Sequence, residues 1–178
     1  NKLIHKYRHQ IALHAIILIW GFAGILGKVI TIPFYSIVIY RMGIAFIGLL
    51  IFFLWKRKQI IVPINKMLIL VLLGVLVGAH WATFFQAIKV SNVSVTLTTL
   101  ASTSLFVAFL EPLLFKRRII WYEVMLGVLV IFGLYLIFSF ESEYKLGISL
   151  ALCSAFLAAL FSTFNGMLIK DTSASQIT

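Results

Sequence analysis

Long apolar runs separated by short polar segments make up most of the chain. Each run has roughly 20 residues, the length that an α-helix needs to cross a hydrocarbon core about 30 Å thick. The runs lack the alternation of apolar and polar residues that is typical of a strand in a membrane barrel. The pattern therefore predicts an all-α, polytopic transmembrane helix bundle whose six spans cover residues 11–30, 34–55, 67–88, 93–115, 121–140 and 146–169.

Composition supports lipid as the solvent around these helices. Of the 178 residues, 62% are hydrophobic and only 11% are charged. A single domain of this length has too little interior to bury so many apolar side chains. The first run is not a cleaved signal peptide, because it is too long and a second span follows it almost at once.

The basic residues are distributed unevenly along the chain, which has fifteen Lys and Arg against five acidic residues. They concentrate before the first span, between spans two and three, after span four and after span six, which all fall on one side of the membrane. The other side has Lys89 and Lys145, balanced by Glu141 and Glu143. By the positive-inside rule we expect the N-terminus in the cytoplasm. We also expect the protein to lie in the cytoplasmic, or inner, membrane. The distribution of positive charge is therefore explained by the orientation of the chain in the membrane, and we expect no nucleic-acid partner.

Motifs for soluble-type catalysis are absent from the sequence. Cys153 is the single cysteine and lies inside a span, so there is no disulfide framework and no metal-binding spacing. No HExxH, CxxC, P-loop or GxSxG pattern occurs. We therefore expect a protein that is not an enzyme and that has no cofactor and no metal.

Arg41 places a permanent charge inside the second span. Ala45, Gly48 and Phe52 lie within about 40° of it around the helix, so this face should meet a neighbouring helix. The side chain could reach back to the outer headgroups and pack on Tyr40. It could instead face an aqueous pocket or an anionic substrate group, or form a structural ion pair.

Other polar residues within the spans leave similar alternatives open. His80 could be a buried imidazole bonded to a carbonyl, or it could contact a substrate or a proton. The hydroxyls of Thr96, Thr99, Thr103 and Ser104 share one side of span four, where they could bond between helices or line a cavity.

Glu111 and Pro112 lie near the basic end of span four. We expect Glu111 to pair with a nearby basic group, with proton coupling as the alternative, and we expect Pro112 to bend the helix.

Small residues should form the tight helix contacts. They are Gly21, Gly24 and Gly27 in span one, Gly74, Gly78 and Ala82 in span three, and Gly147, Ala151, Ser154, Ala158, Ser162 and Asn165 in span six.

The order of several segments resembles the EamA-type permeases of the drug/metabolite transporter superfamily. "ILIWGFAGILGK" resembles the family's first span, and Arg41 is similar to an arginine early in its second span. "FFQAIKVSNVSVTLTTLASTSLFVAFLEPLLF" is similar to its hairpin of spans three and four. "LGVLVIFGLYLI" resembles its fifth span, and "GISLALCSAFLAALFSTFNGMLIK" resembles the opening of its second repeat.

The resemblance implies ten spans, arranged as two five-helix repeats of inverted topology around a central cavity. Residues 1–140 would be the first repeat and residues 146–170 the first helix of the second. Residues 171–178 would be a cytoplasmic loop that leads to a further span. An odd number of spans in each unit agrees with this inversion.

The resulting hypothesis is a transporter that moves a small organic metabolite, such as an amino acid or a drug, outward by alternating access. Arg41 would attract a carboxylate or phosphate, His80 would bond to the solute or relay a proton, Thr103 would supply a hydroxyl, and Trp20 would shape the wall. The partners would be the solute, the lipid bilayer and the remaining spans, with a homodimer as a further assembly. The alternative is a structural or assembly subunit of a membrane complex, without a water-filled centre.

Overall fold

Helices account for the regular structure throughout the computed structural model, which describes residues 2–57 and 64–169. In chain order they are α1 (Lys2–Val29), α2 (Phe34–Lys56), α3 (Ile64–Val90), α4 (Val93–Leu100), α5 (Thr103–Phe115), α6 (Trp121–Phe140) and α7 (Lys145–Leu168). A short 3₁₀ turn, Ser142–Tyr144, precedes α7. No strand occurs within these two ranges, and the all-α prediction is confirmed.

Six stretches of these helices are long and apolar enough to cross a membrane, as the sequence predicts. Helices α4 and α5 together form one of them, Val93–Phe115. The predicted boundaries differ from the observed ones by a few residues, most visibly at α1, which begins at Lys2. The predicted loop at residues 171–178 lies outside the described residues, and the ten-span arrangement stays a prediction.

The fourth span is interrupted between α4 and α5, where hydroxyl groups bond to the local backbone. Ser102 Oγ donates to the Thr99 carbonyl over 2.7 Å, and Thr103 Oγ donates to the Leu100 carbonyl over 2.7 Å. The Ser102 amide also bonds to the Thr99 carbonyl, three residues back, in place of an α-helical bond. Hydroxyls that bond to helix carbonyls in this way bend helices. The helix continues through Pro112, so the interruption lies at 101–102 rather than at the proline.

Helix α7 occupies the centre of the bundle and packs against α3, α4 and α5. Its buried residues are Gly147, Ile148, Ala151, Ser154, Ala155, Ala159 and Thr163. The predicted small-residue seam is correct as far as Ser154. Beyond that point the buried row continues at a spacing of four, whereas Ser162, which was expected in the seam, is exposed. Residues four apart drift about 40° around a helix, so this row winds around α7 as it follows its neighbours.

Gly147 and Gly27 mark two of the closest helix contacts. A Cβ atom at Gly147 would lie 2.5 Å from Ser91 Cβ and 3.3 Å from the Ala87 carbonyl oxygen, at the end of α3. A Cβ atom at Gly27 would lie 2.6 Å from the ring of Phe85. These positions exclude any side chain larger than hydrogen unless their neighbours move.

The glycine ridge expected in span three is not such a contact. A Cβ atom at Gly74 would meet nothing within 4 Å, and Gly78 has only Met42 at 3.8 Å. Small residues permit close packing, but the approach of a neighbouring helix decides whether it occurs. The prediction of tight packing is therefore wrong at Gly74 and Gly78, whereas Ala82, the third residue of the ridge, is half-buried and packs against the core.

Lysine side chains join the ends of α1 and α3 at what we call the capped end of the bundle, formed by residues 28–34 and 88–93. Lys28 Nζ donates to the carbonyls of Ile88 (3.0 Å) and Ser91 (2.7 Å). Lys89 Nζ donates in return to the Ile30 carbonyl. Each helix thus supplies an ammonium group to the unpaired carbonyls and the negative dipole at the other's C-terminus.

Candidate functional site

Arg41 extends from α2 onto α3, where its guanidinium covers the face of an indole ring. Arg41 Cζ lies 3.7 Å from the centroid of the Trp81 ring, a cation–π arrangement. The Tyr40 side chain, considered as a packing partner, is 64% exposed on α2. Among the described residues the ion pairs involve Arg117, and no carboxylate pairs with Arg41. The guanidinium is therefore directed into the bundle without a counter-charge from this part of the chain.

The stacking on Trp81 offsets only part of the cost of placing this charge in a membrane. An arginine at the centre of a transmembrane helix costs about 2.5–3.5 kcal/mol on the insertion scale. A cation–π contact contributes about 0.5–2 kcal/mol, depending on how dry it is. The part of the insertion cost that the cation–π contact does not offset is the reason to expect water or an anionic group beside those N–H groups of Arg41 that do not face the indole.

His80 lies one residue before Trp81 and bonds to α7. Its Nδ1 atom is 2.9 Å from both the carbonyl oxygen and the Oγ of Ser154, and Ser154 Oγ donates to the His80 carbonyl over 3.0 Å. Because the hydroxyl proton is directed at the His80 carbonyl, we assign the ring proton to Nδ1, which donates to Ser154. This assignment leaves Nε2 as an acceptor. The carbonyl partner considered for a buried imidazole is therefore present.

Aromatic rings enclose the imidazole, and the His80 residue is only 6% exposed. The ring centroid lies 4.9 Å from Trp81, 6.2 Å from Phe84 and 5.8 Å from Phe161. The guanidinium, the indole and the imidazole are thus consecutive neighbours, and we call them the Arg41–Trp81–His80 cluster. Two of the predicted site residues, Arg41 and His80, contact the same indole.

The other two predicted residues lie in different surroundings. Thr103 is half-buried at the start of α5, where its hydroxyl donates to Leu100. Trp20 is 61% exposed on α1. Neither of them shares a hydrogen bond or a ring contact with the Arg41–Trp81–His80 cluster within the described residues, and their roles stay predictions.

Trp81 and Ser154 have parts in this region that were not predicted from the sequence, and Thr99 is one of the hydroxyls expected to bond between helices or to line a cavity. The position of Trp81 beside His80 was an available signal, since aromatic rings stack on cations. Ser154 appeared only as a small residue of a packing seam. Thr99 is fully buried on α4, and its Oγ1 has no hydrogen-bond partner within the described ranges. Such a hydroxyl can bond to water or to a solute.

A second charged cluster lies at the basic end of the bundle, which we define by Arg57, Lys66 and residues 116–118. Arg117 Nη2 bonds to Glu123 Oε2 over 2.9 Å and to Glu111 Oε2 over 3.0 Å. The pairing expected of Glu111 with a basic group is confirmed. Hydrogen bonding to Glu123 is the largest cause that raises the pKa of Arg117, and Glu111 adds to it.

In the part of the chain that the structure describes, no group of three His, Cys, Asp or Glu side chains could hold a metal ion.

Comparison with known proteins identifies the family. A family model described as the EamA-like transporter family matches residues 10–139, well over half of the chain. No curated protein and no solved structure matches the sequence. The matched residues include Arg41, Trp81 and His80 and every span up to α6. With six apolar helices and this match over most of its length, the chain belongs to the EamA-like transporter family.

Proposed function

We propose that the protein exports a small organic solute that has a carboxylate or phosphate group, and that Arg41 binds this group. The observation that carries the proposal is the guanidinium on Trp81, inside a membrane span and without a carboxylate partner among the described residues. Membership of a transporter family supports solute transport as the role of such a charge.

The stacked geometry suits an anion with two oxygens. Arg41 Cζ lies over the indole, and a guanidinium carries its N–H groups in one plane, where a carboxylate or phosphate can accept two parallel bonds. His80 would offer Nε2 to a donor on the same solute or relay a proton. In this proposal Thr103 supplies a hydroxyl from span four, and Trp20 forms part of the wall. Amino acids and acidic drugs are solutes of this class.

The transport cycle that we propose is alternating access in the cytoplasmic membrane, with the N-terminus in the cytoplasm. Residues 1–140 form one five-helix repeat, residues 146–170 begin a second, inverted repeat, and the site lies between the repeats. Four further spans, and in a homodimer a second copy, would complete the protein. A solute or ion gradient would drive export, since no nucleotide-binding motif occurs in the sequence.

Ligand-induced thermal stabilisation of the purified full chain tests the role of Arg41. A panel of acidic, neutral and basic solutes is compared on the wild type, on Arg41→Gln and on Lys56→Gln. Lys56 is a matched control, because its ammonium also stacks on a ring, that of Trp55, at the far end of α2. We expect an acidic solute to raise the melting temperature of the wild type and of Lys56→Gln, but not of Arg41→Gln. Equal stabilisation of all three proteins would overturn the role of Arg41.

Cysteine accessibility distinguishes a transporter from the alternative, a structural or assembly subunit. Single cysteines are introduced along α3 and α4 in a Cys153→Ala background, which removes the native thiol. Reaction with a water-soluble reagent on one face at mid-depth, and its protection by the acidic solute, would support a transport pathway. Uniform protection of every position would favour the subunit. Solute uptake into inverted and right-side-out vesicles would then determine the direction of transport.

A further inference from the structure

A groove with a volume of about 310 Å³ lies between α5 and α6, away from the Arg41–Trp81–His80 cluster. Its walls are mainly apolar, and its charged end is formed by Glu111, Arg117 and Glu123. The apolar wall residues are Leu105, Val107, Ala108, Leu126, Gly127 and Val130. The groove is thus apolar along most of its length and charged at one end. These surroundings suit an amphiphile, which has an apolar chain and a charged headgroup.

The apolar part of the groove suits a hydrocarbon chain better than water. Its volume is roughly ten times the ~30 Å³ of one liquid water molecule, and water in a cavity needs two to four polar partners. Away from the charged end, the hydroxyl of Ser104 is the one polar side chain in the lining, and it bonds to the Ala101 carbonyl. At Gly127 a Cβ atom would lie 2.5 Å from Leu105 Cδ1, so the glycine keeps the two helices and the groove in this arrangement.

The ionic end leaves specific bonding capacity unused. One nitrogen of Arg117, Nη2, bonds to both carboxylates, whereas its Nε is buried and has no acceptor among the described residues. Two carboxylates and one guanidinium also leave one formal negative charge in excess. A complementary ligand therefore brings a cationic N–H donor for the carboxylates, which remain partly exposed.

We propose that this groove binds a phospholipid with a primary-amine headgroup, whose ammonium bonds to Glu111 and Glu123, whose phosphate lies beside Lys116 and Arg118, and whose acyl chain lies between α5 and α6. Lys116 and Arg118 flank Arg117 and are exposed, so the groove opens beside basic side chains that attract lipid phosphates. The site is separate from the proposed solute site and does not depend on it.

Native mass spectrometry and thermal unfolding of the delipidated full chain test the proposal. The lipids are phosphatidylethanolamine, phosphatidylcholine and phosphatidylglycerol with identical acyl chains. The choline lipid has the same charges as the ethanolamine lipid but no N–H donor, and the glycerol lipid has no cation. We expect the ethanolamine lipid to bind about tenfold more tightly than either, since a hydrogen bond between charged groups is lost in both. Equal binding of the ethanolamine and choline lipids by the wild type would overturn the proposal.

Variants locate the site and separate a lipid from its soluble headgroup. Glu123→Gln removes one carboxylate and Ala108→Leu enlarges a side chain of the groove wall, so each should abolish the preference. Glu143→Gln, an exposed glutamate before α7, should retain it. If Glu143→Gln also lost the preference for the ethanolamine lipid, that preference would not arise in this groove, and the proposed site would be overturned. Soluble phosphoethanolamine tests whether the acyl chain is needed. If it stabilised the protein as much as the lipid does, the site would bind the headgroup alone and the proposed role of the acyl chain would be overturned.

Discussion

His80 and Ser154 join α3 and α7 by hydrogen bonds that run in opposite directions, from the imidazole to Ser154 and from the serine hydroxyl to the His80 carbonyl. The contact lies beside the Arg41–Trp81–His80 cluster and buries both residues, with Ser154 fully inaccessible. It fixes the orientation of the imidazole, and it ties the ring to the helix that packs most extensively against α3.

Ser154→Ala should destabilise the protein by about 1 kcal/mol, since bonds between polar side chains of membrane helices are worth about 0.6–2 kcal/mol. Ser149→Ala is the matched control, because its exposed hydroxyl bonds only within α7, to the Lys145 carbonyl. We expect less than about 0.5 kcal/mol from the control. The measurement is unfolding in mixed micelles. Equal costs for the two variants would contradict a stabilising role for the His80–Ser154 bonds.

Gly147→Ala should cost about 1–3 kcal/mol, because the new methyl group would overlap the Ser91 side chain and approach the backbone oxygen of Ala87. Gly74→Ala is the comparison within α3, where a methyl group meets nothing within 4 Å. That variant should be neutral or slightly stabilising, since alanine is the better helix former. The same unfolding assay applies. A large loss for Gly74→Ala would restore the glycine ridge of span three as a tight interface.

Lys28→Met should loosen the capped end, because the variant cannot donate to the carbonyls of Ile88 and Ser91. Amide hydrogen exchange at residues 88–91 should become roughly tenfold to a hundredfold faster, as expected when a charge-assisted bond to a part-buried carbonyl, worth about 1.5–3 kcal/mol, is lost. Lys145→Met is the control, since Lys145 is exposed and its ammonium bonds to no described residue. Unchanged exchange in Lys28→Met would show that the lysine bonds do not hold α1 against α3.

Arg117→Lys should make stability sensitive to alkaline pH. Bonds to Glu123 and Glu111 raise the pKa of Arg117, so its contribution is complete below the ordinary range of arginine and is lost only as the pH rises through the raised value. A lysine, with an ordinary pKa of about 10.4, loses its charge near that pH. Because the same two carboxylates would favour the charged lysine, the difference in melting temperature between wild type and variant should stay constant up to about pH 10 and widen between about pH 10 and about pH 12. A constant difference over this interval would show that the charge on residue 117 contributes nothing.

The sequence predicted the six spans because hydrophobic length is a local property of the chain. A run of about 20 apolar residues must be helical in lipid, whatever surrounds it. The pairing of Glu111 was also accessible, since basic residues follow it within a few positions of the chain. The seam of α7 was correct as far as Ser154, where counting around a straight helix still agrees with the buried row.

Only the tertiary structure decided which faces of the helices meet. In a soluble protein the apolar face of a helix marks its buried side, but lipid is as apolar as a helix neighbour, so the sequence has no equivalent signal. For this reason the contact of Arg41 with Trp81, the bonds between His80 and Ser154 and the open surface at Gly74 could not be predicted from the sequence. Hydrophobic length determined where the chain crosses the membrane, and packing between crossings determined which polar groups lie together.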